Sequence, residues 1–257
     1  MSVRDAVARL GSDDRGVSET VGFVLVFALI TSTIAVTFTV GLGGLEAAQL
    51  AERDNTGERA FDVLQDNLDD VSRDGGPSRA TEIQLGGGEL VLEQASTFRI
   101  NHTATPGTIV ETGSLTYRGA GDTRIVYENG AVFRMQGDNG VMLNEPDLLL
   151  GDTVVYSLYG LGGPPQTAGG DRTVLVIGER GTREAALDDR AATDDVTLAI
   201  NSSQATVWER YYSELAAEHD HVSVSTAGGP DLTVTFDADH YERFVVHRTA
   251  TRIDFSE

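Results

Sequence analysis

The side chains best suited to acid–base or metal chemistry in this sequence are its five histidines. His219 and His221 lie two residues apart, His240 and His247 follow downstream, and His102 stands far upstream. Imidazoles brought together by a fold can ligate zinc. Here neither a helical H-E-x-x-H pattern nor a carboxylate at diagnostic spacing accompanies them, so they read as surface or hairpin residues and no metal site is expected. Asp188-Asp189 and Asp194-Asp195 lack the spaced ligands of a calcium loop and read as solvated loops. Two N-x-[S/T] sequons, Asn101-His102-Thr103 and Asn201-Ser202-Ser203, are candidate N-glycosylation sites in an external protein. Asn101, at the end of a predicted strand, is the stronger of the two, because Asn201 can instead cap a helix. There is no G-x-S-x-G elbow, Walker A loop or dinucleotide-binding glycine fingerprint. Gly86-Gly87-Gly88 sits between strands, where a turn accounts for it. The chain is therefore not expected to be an enzyme, and no cofactor is expected.

Composition narrows the classes further. Cysteine is absent, which removes disulfides, thiolate metal sites, cysteine nucleophiles and an N-terminal lipid-bearing cysteine. Forty acidic residues face nineteen basic ones, every one of them Arg, for a net charge of −21. A Lys-free acidic surface holds water in concentrated salt, and salt screens its self-repulsion. The acidity is thus the mark of a halophilic habitat rather than of a partner. Nucleic acid is disfavoured as a partner, because phosphate recognition needs clustered Lys and Arg.

The element that must position everything else is near the N-terminus. From Thr20 to Leu45 no charged residue occurs, between Glu19 and Glu46. A helix over these residues reaches roughly 39 Å at about 1.5 Å per residue, more than the ~30 Å hydrocarbon core. The segment can span a bilayer. Arg4, Arg9 and Arg15 in the short leader favour a cytoplasmic N-terminus and an external C-terminal bulk. A cleaved secretory signal is the alternative, but its apolar region is only about 7–15 residues long. Thr20, Thr31, Ser32, Thr33, Thr37 and Thr39 add hydroxyls of the kind enriched where membrane helices pack, and Thr33 and Thr37 share a face.

The junction reads Asp13-Asp14-Arg15-Gly16-Val17-Ser18-Glu19-Thr20-Val21-Gly22, followed by Phe23-Val24-Leu25-Val26-Phe27-Ala28. This resembles the class III signal of archaeal type IV pilins and their relatives. In that family a charged residue and then Gly or Ala precede the cut, ahead of a retained hydrophobic helix. The resemblance implies processing by a prepilin peptidase at Arg15, Gly16 and Val17, leaving Val17 as the mature N-terminus. It also implies sister pilin-like subunits as partners through the helix. Glu19 departs from the pattern: it stands where the archaeal motif often has Pro, and it is third in the mature chain. The acidic residue by which bacterial pilins pair with a neighbour's N-terminus is fifth.

Beyond Glu46 the helical pattern continues, with Phe61, Leu64, Leu68 and Val71 on one face, and it stops at Asp74-Gly75-Gly76-Pro77. From about Arg79 short alternating runs take over. Ile83–Leu85 and Leu90–Leu92 around the three glycines read as a hairpin. Asn129-Gly130 is the sharpest turn signal, since a type I′ turn needs two residues tolerant of positive φ. One helix, with Trp208, Tyr211, Tyr212 and Leu215 on its apolar side and Asn201-Ser202-Ser203 as its cap, interrupts the strands. The expected fold is α+β: a long N-terminal hydrophobic helix followed by a mainly antiparallel, β-sandwich-like domain with one inserted helix. The expected division is a leader over 1–16, the helix over 17–74 and a β-rich extracytoplasmic domain over 75–257. The β-rich part resembles, in architecture only, the ectodomains that follow pilin-like N-termini in haloarchaeal membrane proteins.

Together these residues point to a membrane-anchored pilin-like surface protein, a minor subunit of a filament. The alternative is a single-span envelope or adhesion protein that does not polymerise.

Overall fold

The computed structural model describes residues 13–102, 108–119, 121–190, 194–226 and 231–256. Its first element is one helix, α1, over Asp13–Asp69. Neither Asn55 nor Gly57 interrupts it. Gly57 is instead a close approach: a Cβ there would sit 2.8 Å from Ile125 Cδ1 and 3.1 Å from the Tyr117 ring. The helix ends in a π-turn, Asp70–Asp74, closed by Gly75 at φ +80°, a conformation that glycine adopts without strain. The chain divides into two compact units, Met1–Ala51 and Glu52–Glu257. The boundary thus falls inside α1 rather than at residue 74. The amphipathic end of the helix is part of the β-rich unit because Phe61, Leu64, Leu68 and Val71 are all buried there.

Among the described residues fourteen strands come after α1. They are β1 (Ser78–Gln84), β2 (Glu89–Asn101), β3 (Thr108–Arg118), β4 (Thr123–Glu128), β5 (Ala131–Gln136), β6 (Asn139–Asn144) and β7 (Leu148–Leu149). Then come β8 (Thr153–Gly162), β9 (Gln166–Gly169), β10 (Thr173–Asp189), β11 (Val196–Asn201), β12 (Val222–Thr226), β13 (Asp231–Phe236) and β14 (Arg243–Ser256). Helix α2, Ala205–Glu218, is inserted between β11 and β12. One sheet has the order β1-β10-β14-β8-β7, and the larger has β12-β13-β11-β2-β3-β4-β5-β6 with β9 also on β2. All pairings are antiparallel except β14 with β8, whose ten-residue register runs parallel.

The expected hairpin around Gly86–Gly88 does not form. β1 pairs with β10 in the smaller sheet, while β2 pairs with β3, β9 and β11 in the larger one. The glycine loop crosses between the sheets instead. It is held by Gly88 N donating to Leu85 O (2.8 Å) and by Gly87 N and Gly88 O bonding to Gly170. Gly88 tolerates no side chain, since a Cβ would lie 2.5 Å from Arg118 O. Local alternation marks both strands, but β1 takes its partner from β10, far along the chain, rather than from β2.

Two hydrophobic cores result. One packs Phe61, Leu64 and Leu68 of α1 under Leu90, Leu92, Leu115, Tyr117, Ile125 and Tyr127. The other packs Trp208 and Tyr212 of α2 between Phe98, Phe133, Tyr156 and Phe236. A bulge in β2 between Gln94 and Ser96 lets one strand serve both. The extra residue reverses the facing, so Leu90 and Leu92 enter the first core while Phe98 and Ile100, of the same parity, enter the second. The Asn129-Gly130 turn forms as expected, with φ of +47° and +80° and Glu128 opposite Ala131.

Candidate functional site: the apolar helix and the polar groups of the β-rich unit

Within the first unit, Thr20–Leu45 forms helix whose side chains are exposed along its length among the described residues. Phe23 is 71 % exposed, Phe38 67 % and Val40 70 %. Large apolar side chains turned outward on every side are the pattern of a helix surrounded by lipid or by other helices. The helix is long and apolar enough to cross a membrane. Its hydroxyls are partly satisfied within it: Thr33 Oγ1 donates to Leu29 O at 2.8 Å and Thr39 Oγ1 to Ala35 O at 2.9 Å. Thr33, Thr37 and Gly41, four residues apart, lie with Ile34, Phe38 and Leu42 along one shallow apolar groove of about 430 Å³. A Cβ added at Gly41 would meet nothing, so this face is open for the close approach of another helix.

The backbone of Arg15, Gly16 and Val17, the residues expected at a processing junction, lies within α1. Residues 1–12 of the leader, and Thr103 of the first sequon, fall outside the described residues. Asn101 closes β2 and is half-buried, beside a buried His102 whose Nε2 lies 3.2 Å from Asp189 Oδ2. Asn201 closes β11 and is exposed, as is Ser203. Ser202, not Asn201, accepts the Gln204 amide at the start of α2 (2.9 Å). By exposure, Asn201 therefore ranks ahead of Asn101, the reverse of the order that the sequence implied.

The histidines separate. His219, His221 and His240 come together, with ring centroids 5.4 and 5.5 Å apart, whereas His247 lies on β14 and His102 pairs with Asp189. Among the described residues, no group of three or more His, Asp and Glu side chains is arranged to hold a metal ion.

The carboxylate with the most unusual surroundings is Glu128, which sequence patterning did not single out. It is fully buried at the end of β4. Its Oε2 accepts from Ser96 Oγ at 2.5 Å, and its Oε1 accepts from Ser202 Oγ at 2.6 Å and Trp208 Nε1 at 2.8 Å. Burial raises its pKa above the ordinary carboxylate value, and the three donors offset part of that rise. The adjoining turn extends the network. Asn129 Nδ2 donates to Tyr156 Oη (3.0 Å), which bonds Tyr212 Oη (2.9 Å), and Asn129 Oδ1 accepts the Tyr159 amide (2.9 Å). Gln65 of α1 donates to Gly130 O at 2.8 Å. One turn thus ties α1, β8 and α2 together around a fully buried carboxylate. The only sequence signal for this knot is the acid directly before Asn129-Gly130, one among forty.

A surface cleft of about 340 Å³ opens beside Gly160 and Gly162, with Glu111 and Arg248 on its walls. Arg248 is paired with Glu184 at 3.2 Å.

Residues 15–254 match the model of a family described as a family of unknown function, DUF7289, and this chain belongs to that family. No curated protein and no solved structure matches the chain.

Proposed function

We propose that this DUF7289 member is a pilin-like membrane protein of a cell surface, with α1 retained in the bilayer and the β-rich unit displayed on the outer side. The observation that carries the reading is the charge-free run Thr20–Leu45, helical with its apolar side chains exposed, two residues after Arg15-Gly16-Val17. The partners are the membrane itself, a prepilin peptidase acting between Gly16 and Val17, and sister helices packing on the face of Thr33, Thr37 and Gly41. The Arg-bearing leader supports a cytoplasmic N-terminus.

Replacing Gly16 with Phe tests the processing step, because a bulky side chain beside the cut blocks a protease that reads a small residue there. N-terminal sequencing of membrane-extracted protein is expected to give Val17 for wild type, and the Gly16→Phe protein is expected to run as a larger precursor. Equal mobility of the two proteins, or a wild-type start at Met1, overturns the proposal.

A non-polymerising envelope protein is the second reading. It is favoured by Thr33 and Thr39, whose hydroxyls bond within their own helix rather than being left for a neighbour. Shearing of cells separates the two: a filament subunit is released, and a solitary anchored protein stays with the membrane.

External display also exposes the Asn201 sequon. Peptide mass mapping of native material is expected to find glycan on Asn201 at higher occupancy than on Asn101, and Asn201→Gln should remove it. Bare asparagine at position 201 would refute this point.

A further inference from the structure

The three clustered histidines stand where a terminal strand is fastened. Among the described residues β12 is the last strand of the larger sheet and its one sheet neighbour is β13, in the register Val222–Phe236 to Thr226–Leu232. The backbone around its start is tied through the histidines themselves. His219 N donates to Leu215 O at the end of α2 (3.0 Å), and Val222 N donates to His219 O (3.0 Å). Asp237 N donates to His221 O (2.9 Å), and His240 N donates to Asp237 O (3.3 Å) in the short turn Ala238–His240. The side chains stack over this junction. The His221 ring lies edge to face with His219 (62°) and nearly parallel to His240 (17°), and its Nε2 is buried with no hydrogen-bond partner among the described residues.

We propose that His219, His221 and His240 form a proton-released latch on β12, closed when the rings are neutral and opened when they become charged together. Neutral imidazoles stack favourably, but cations about 5.5 Å apart repel one another. The groups facing His221 are His219 and His240, which oppose its protonation, and Asp237 and Asp220, which favour it. Asp237 also lies 3.8 Å from His240 Nδ1, and its carboxylate accepts the Asp239 amide at 3.0 Å. These two acids accommodate a first proton on the cluster, so the repulsion falls on the later protons.

The direction of the pKa agrees with the geometry. Burial, then His219 and His240, hold His221 below the usual imidazole value. A depressed folded-state pKa contributes stability that is present above the unfolded value of about 6.5 and is lost as pH falls through the folded one. Opening the latch frees β12 and bares the edge of β13, Asp231–Phe236. That edge offers a row of unpaired N–H and C=O groups able to accept another strand. Acidification would thereby create a strand-pairing surface that is closed at neutral pH.

Hydrogen exchange of the full chain in detergent micelles, with rates corrected for intrinsic pH dependence, tests the latch. Between about pH 8 and pH 5.5, protection of the Val222–Thr226 amides is expected to fall about tenfold while β11 stays protected. In His221→Phe, which keeps a ring but takes no proton, the fall should shrink to about threefold or less. Because exposed charges are screened, about 2 M salt should also reduce it. A flat wild-type profile, or the same fall in His221→Phe as in wild type, overturns the proposal. Ring titration of the wild type by NMR gives a reading that needs no variant: three independent titrations near the ordinary imidazole value would overturn it as well.

Discussion

Replacing Glu128 with Leu is expected to lower the unfolding free energy by about 3 kcal/mol, because Ser96 Oγ, Ser202 Oγ and Trp208 Nε1 would be left buried without an acceptor. Trp208 is the one tryptophan of the chain, so its fluorescence reports unfolding of this core directly. Glu128→Gln should behave differently. Its carbonyl oxygen still accepts from Trp208 and Ser202, and its amide donates to Ser96 Oγ. The Gln variant also separates the hydrogen bonds from the charge. Burial raises the folded-state pKa of Glu128, so protonation favours the fold. This contribution is fully present below the unfolded value of about 4.3 and is lost as pH rises through the raised folded value. Denaturation curves of wild type and Glu128→Gln taken from about pH 4 upward should therefore diverge, with wild type losing stability relative to Gln as pH rises. Parallel curves would mean that the carboxylate titrates at its ordinary value in the folded protein.

Phe61→Ala is expected to cost about 3–5 kcal/mol, the range for deleting a fully buried aromatic side chain. Phe61 packs in the core that α1 shares with β2, β3 and β4, so its loss weakens the seat of the helix end. Urea denaturation of the full chain in detergent should show a lower midpoint, and hydrogen exchange should show α1 amides beyond Glu52 losing protection ahead of α2. A shift under about 1 kcal/mol would mean that the helix end contributes little to the β-rich unit. The neighbouring Val63, 52 % exposed, is the control, because its truncation removes little packing.

These two positions differ in how legible they were. Phe61, Leu64, Leu68 and Val71 repeat at helical spacing, and all four are buried as the periodicity required. Glu128 carried no such mark, since burial of a carboxylate depends on donors from β2, the approach to α2 and α2 itself. The Asn129-Gly130 turn was legible because its φ values are a local demand, while the hairpin read around Gly86–Gly88 was not realised because strand pairing is not local. β6, Asn139–Asn144, shows no strong alternation in sequence, and it exists through its register with β5. The histidines illustrate both sides, since their proximity in sequence hinted at a cluster that only the turn Ala238–His240 completed.

The apolar helix and its length, the helix stop at Gly75, the strand-rich character of the chain beyond that stop and the acidity of the whole are all properties of local sequence. All of these arise from the chemistry of neighbouring residues, from the spacing of apolar side chains and from the summed charge. Long-range packing sets which strands pair, that β8 and β14 run parallel, that β2 turns its face at a bulge, which acid is enclosed and which histidines come together. Those outcomes depend on burial and on contacts between residues far apart in the chain, where the free energy of a polar group is set by partners that its own neighbours do not specify.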